Sequence, residues 1–194
     1  LDAAVAALAE AAGGGRPLVV VPSEGTRWLW IHAREAPTAA RLRAHREALR
    51  DVYVVIGTAG SGLAGFRRSH QQALVAQRVL SRLGSAARVA RYDEVRLVAL
   101  LAADPSAADE FVRDTLGELA DAPEQLRETL RVYLREQSNA SRTAALVHCH
   151  RNTVLMRLAR AEALLPRPLA ENALEVACAL EILHWRGASD AGRV

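Results

Sequence analysis

Lysine is missing from this sequence: all 25 basic residues among its 194 are arginine. Together with the abundance of Ala, Leu, Val and Gly, that usage points to a GC-rich, bacterial genome and carries no chemistry. Cysteine is scarce. Cys149 and Cys178 are too few and too far apart for a disulfide framework. No apolar run reaches the roughly 18 residues of a membrane span. The start shows none of the charged, apolar and cleavable segments of a secretion signal. These absences read as a cytoplasmic protein with no membrane partner. The chain opens on Leu1 rather than Met, which reads as a fragment.

Catalytic vocabulary is also lacking. There is no G-x-S-x-G, no H-E-x-x-H and no P-loop, and His32, His45, His70 and His184 are scattered. The expectation is no enzyme, with no metal and no cofactor. The tripeptide His148-Cys149-His150 is a poor metal motif, because it has no distant partner cluster.

About half of the residues are apolar, 51%, enough to bury a core. The net charge of +3 is unevenly spread. Between Ser138 and Pro168 five arginines (Arg142, Arg151, Arg157, Arg160 and Arg167) face one acid, Glu162. Such a basic stretch is the electrostatic footprint of a nucleic-acid contact, although many charged stretches are only solvated faces.

Read along the chain, residues 1–12 are helical and end at Gly13-Gly14-Gly15. Leu18–Val21 suits a buried strand and Trp28–Ile31 a second, joined by the turn at Pro22–Gly25 into an antiparallel hairpin. Residues 38–49 have helical spacing. Val52–Ile56 reads as a central strand, Leu63–Leu83 as a long helix closed by Gly84, and Arg88–Tyr92 as a short strand. A helix follows over 93–102, with Asp93 as a possible cap, and another from Ser106 to Leu119. After Pro123 only helical periodicity remains, over 124–136, 141–147, 151–165 and 171–185, with Pro166 and Pro168 separating the last two.

The segment Asn139–Leu158 has the grammar of a helix-turn-helix: a short, small-residue helix capped by Asn139 or Ser141, a tight polar turn, and a longer helix from about His150. At 100° per residue, Val154, Leu158, Ala161 and Leu165 share a core wedge. Asn152, Met156, Ala159, Arg160 and Ala163 lie opposite, flanked by Thr153 and Arg157. A smooth outer face suits a major groove about 12 Å wide. Arg151 can bridge guanine O6 and N7, Asn152 can pair with adenine, and Met156 can touch a thymine methyl. Thr153, Ser141 and Arg142 suit phosphates, helped by the helix N-terminus. His150 can donate to base or phosphate, and Arg157 and Arg160 can reach the backbone. The blander alternative pairs Arg151 or Arg157 with Glu162 or Glu136.

Tyr133-Leu134, Asn139, Thr143-Ala144, Leu146, His150-Arg151-Asn152-Thr153-Val154 and Arg157-Leu158 resemble the C-terminal helix-turn-helix of PucR/CdaR-type bacterial transcription regulators. The same helix pair is similar to the Fis-type helix-turn-helix. The resemblance implies DNA contacts at His150, Arg151, Thr153, Met156 and Arg157, and at Asn139, Ser141 and Arg142 in the first helix. Ile56-Gly57, Gly62-Leu63, Ser69, Gln72-Ala73 and Tyr92-Asp93 resemble the same family's degenerate GGDEF-like module, which implies that part of that module lies upstream of Leu1. No Gly-Gly-Asp/Glu-Glu-Phe run is present, so the acidic metal cluster of a cyclase is excluded.

The expectation is an α+β fold: a partial GGDEF-like α/β domain over 1–120, then an all-helical helix-turn-helix domain over 121–194. The expected partners are double-stranded DNA, a second copy of the chain in a homodimer, and a small-molecule effector acting through a missing N-terminal domain. The competing reading is a dinucleotide or nucleotide site, in an enzyme or a sensor, at Gly60-Ser61-Gly62-Leu63-Ala64-Gly65, with Asp93 as the ribose acid. Against it, Asp93 lies 33 residues past Gly60 rather than about 20. The loop is also longer than the tight turn requires, and the strands before it read as a hairpin rather than a parallel βαβ series.

Overall fold

Ala-rich sequence favours helix, and the chain opens with α1 (Asp2–Ala11), which buries Ala4, Ala7 and Ala11 on one side. The computed structural model describes residues 1–85 and 87–187. It divides into two compact units, residues 1–99 and 100–187.

In the first unit, β1 (Leu18–Ser23) and β2 (Thr26–Trp30) form the expected antiparallel hairpin, with Leu18 facing Trp30 and Val20 facing Trp28. The expectation of a buried first strand is overturned: β1 is exposed along its whole length. The reason lies in β2, whose tryptophans take the contacts with helix α4 (Gly62–Arg82). Trp30 stacks on Phe66 at 4.4 Å and Trp28 meets His70 edge-on at 4.6 Å. The helix expected over 38–49 breaks at His45 into α2 (Ala39–Ala44) and α3 (Arg46–Leu49).

Strand β3 (Val54–Ile56) pairs in parallel with β4 (Val89–Arg91), Val54 facing Val89, and α4 connects them. Two expectations change here. The apolar run is one of two strands rather than a central one, and its Val54 belongs to a buried cluster with Ala4, Ala7, Ala11, Leu42 and Leu49. The unit also contains a βαβ element after all. Helix α4 ends as the sequence implies: Gly84 takes φ 59°, and the Ser85 amide donates back to the Leu80 carbonyl at 2.9 Å. Helix α5 (Tyr92–Leu101) starts directly from β4. Asp93 therefore sits in its first turn instead of capping it, and pairs with Arg91 at 2.8 Å.

The second unit is helical throughout its described residues. Asp104 caps α6 (Pro105–Leu116), its carboxylate accepting from the Ser106 and Ala107 amides. The helix stops at Gly117, φ 50°, and a 3-10 turn over Gly117–Asp121 follows where a continuous helix to Leu119 was expected. Then come α7 (Glu124–Arg135), α8 (Ala140–Leu146), α9 (Arg151–Ala163) and α10 (Leu169–Gly187), the last kinked at Asn172. Leu116, Leu119, Leu130, Val154, Val176, Leu180 and Ile182 form its buried interior. Because α6 packs on α10, the helical unit begins at 100, ahead of the domain boundary expected at 120.

An ion-pair network links α7 to α10. Arg131 meets Glu128 at 2.8 Å and Glu181 at 2.9 Å, and both Arg131 and Glu181 are buried. Burial opposes ionisation of Glu128, but hydrogen bonds from Arg131 and His184 outweigh it and hold the carboxyl down at about 2. No helix of the described residues is long and apolar enough to cross a membrane.

Candidate nucleic-acid interface

Asn139 starts the helix-turn-helix. Its Oδ1 accepts from the amides of Ser141 and Arg142, 3.1 Å each, and so fixes where α8 begins. Thr143 and Ala144 are buried, and these small residues let α9 pack closely. The turn after α8 closes on His148, held at φ 50°, with the Cys149 amide donating to the Ala144 carbonyl at 3.0 Å. Helix-turn-helix turns often carry Gly; here a histidine occupies the left-handed position.

His150 is extended and precedes α9 without a side-chain capping bond. The first-turn amides of Arg151, Asn152 and Thr153 thus meet no capping side chain, which leaves a partial positive charge at that end. Along α9, Val154 and Ala161 are fully buried, Leu158 and Leu165 half-buried, in agreement with the wedge read from the sequence. Helix α9 packs on α7 and α8, so its opposite face is open. Arg151, Asn152, Met156, Ala159, Arg160 and Ala163 are exposed there, and Thr153 is half-buried. Glu162 is the one acid on α9.

The residues singled out in the sequence differ in their engagement. Ser141 is exposed, while the Asn139 oxygen is committed to its cap. Arg142 pairs through Nε with Glu136 at 2.8 Å. Arg157 is half-buried and turns to α7, its Nη1 donating to Thr129 Oγ1 at 3.4 Å. By contrast, Arg151, Arg160 and Arg167 enter no ion pair among the described residues. Leu155, 42% exposed beside Met156 at 66%, was not singled out. An angular plot places it at the margin of the exposed face, where an apolar residue is easily taken for core.

Comparison with known proteins bears on both units. Residues 126–182 match the PucR C-terminal helix-turn-helix domain, and residues 1–79 match a GGDEF-like domain, together more than half of the chain. The chain belongs to the PucR-type family of transcription regulators. A solved structure similar to it is the regulator of polyketide synthase expression from Bifidobacterium adolescentis, at 22% identity over 97% of this chain and 77% of that one, with a TM-score of 0.36. No curated protein matches the chain significantly.

In this PucR-type chain Gly60 and Gly65 of the competing motif, and Gly57 before it, have a packing role, whereas a Cβ on Gly62 would meet nothing within 4 Å. A Cβ on Gly65 would fall 2.4 Å from the Gly60 backbone, and one on Gly57 would fall 2.1 Å from the Ser69 carbonyl oxygen. The loop is folded against the start of α4, which needs those residues bare. A cavity of about 280 Å³ lies beyond the ends of β3 and β4, lined by Arg34, Thr38, Thr58, Arg91 and Asp93 among others. Residues 60–65 do not line it, and Asp93 is engaged by Arg91.

Proposed function

We propose that this PucR-type regulator binds double-stranded DNA and reads the major groove with α9. The observation that carries the reading is the open face of α9: Arg151 and Asn152 are exposed at its start, unpaired with carboxylates among the described residues, next to uncapped amides. Those amides attract a phosphate. Arg151 suits a bidentate contact to guanine and Asn152 one to adenine. His150, Thr153, Met156, Ser141 and Arg160 surround them on the same side of the interface. Arg142 reaches a phosphate by exchanging Glu136 for it, and Asn139 and Arg157 serve by holding α8 and α9 in place. Two copies in a homodimer would present two α9 helices to half-sites about one helical turn, roughly 34 Å, apart.

Selection of bound sequences from a randomised duplex pool supplies the operator. Arg151→Ala should then lower affinity for it by about 1–3 kcal/mol and leave binding to scrambled duplex nearly unchanged. Equal discrimination by variant and parent in an anisotropy titration would remove Arg151 from the reading.

A further inference from the structure

We propose that Leu155 and Met156 form the apolar part of the base-reading surface, and that they select thymine at the base pairs facing the second turn of α9. This rests on the major-groove reading above. Most large apolar residues of α9 and the turn after it are drawn inward: Val154 is fully buried, and Leu158, Leu164 and Leu165 are half-buried. Leu155 and Met156 break the pattern, with 42% and 66% of their surface exposed. They lie one turn beyond Arg151 and Asn152, Met156 on the face that carries Ala159 and Arg160 and Leu155 at the margin of that face, so a duplex positioned by the first turn meets them next.

What an apolar side chain can read in the major groove is narrow. The edges of guanine, adenine and cytosine present acceptors and donors, which a leucine or methionine would strip of water and leave unpaired. Thymine presents a C5-methyl group, and contact with it removes apolar surface from water on both sides. Met156 is unbranched and can follow the position of a methyl, whereas Leu155 is the stiffer contact. Ala159 and Ala163 continue the face with small side chains, so α9 can lie close enough for both contacts. The inference therefore assigns the partner: duplex DNA whose half-site carries thymine beside the guanine or adenine read by Arg151 and Asn152.

Uracil in place of thymine removes the methyl group and keeps Watson–Crick pairing. With the full chain and the selected operator, uracil at the thymines facing the second turn should weaken binding about fourfold per methyl. The Leu155→Ala/Met156→Ala variant should bind thymine and uracil duplexes equally, while keeping its helical circular dichroism. Equal affinity of the parent chain for both duplexes would overturn the proposal and leave the major-groove reading intact. Loss of self-association in the variant, with thymine preference unchanged, would also overturn it, by assigning the pair to a protein contact. Absence of any selected sequence would instead remove the underlying reading.

Discussion

Glu128 shows how single residues set the stability of the helical unit. Its carboxyl sits between Arg131 and His184, and its ordinary value of 4.5 is lowered to about 2. A carboxyl whose value is lower folded than unfolded stabilises the fold above its unfolded value, and the contribution is lost as pH falls through the folded one. The window therefore runs from about 4.5 down to about 2. Guanidinium unfolding at pH 7 and pH 3 should show the parent chain losing more stability than Glu128→Gln, so that the gap between them narrows on acidification. A constant gap would mean that the pair contributes nothing. Arg131 did not stand out in the sequence, because its meeting with Glu181 spans fifty positions and no local pattern encodes it, while its pair with Glu128 has only the common i,i+3 spacing of helical surfaces. Arg157 had one hint, its place at the flank of the outward face of the helical wheel rather than within it. The hydroxyl that receives it, on Thr129, belongs to another helix.

At the scale of elements, the helix-turn-helix was largely legible and the first unit less so. Caps and breakers are local signals, and Asn139, Gly84 and Pro166 stand where they act. The wedge of Val154, Leu158 and Ala161 follows from a 3.6-residue period. Pairing of short strands is not local. Val52–Ile56 has the composition of a central strand, yet three of its residues form a ladder with a single partner. The exposure of β1 likewise depends on what covers the hairpin, which its own apolar residues do not state. One strained position in the site invites a test. His148 holds a left-handed conformation, φ 50°, which costs a residue with a Cβ about 1 kcal/mol or more. His148→Gly should stabilise the helical unit by roughly 1 kcal/mol, less the extra freedom glycine gains when unfolded. Chemical unfolding measures it. A loss of stability would show that the imidazole makes a contact outweighing the strain.

For the whole molecule, the α+β class and the PucR-type family were both visible in the sequence, the second through the run from His150 to Leu158. The division into compact units was not, because α6 carries no mark of belonging with α10. Function at this scale rests on charge placement: +3 overall, with open arginines gathered around α9. Affinity for duplex DNA should therefore fall linearly in a plot of log K against log salt, with a slope of about −0.9 for each phosphate neutralised. A flat response would argue against a phosphate-bound complex of any geometry. The most direct test of the central claim, that α9 reads the major groove, is substitution of 7-deazaguanine for guanine in the selected operator. That change deletes one acceptor on the major-groove edge and leaves the minor groove untouched. The parent chain should bind the substituted duplex several-fold more weakly, and Arg151→Ala should be indifferent to the substitution. Undiminished binding by the parent chain with every guanine so replaced would contradict the account.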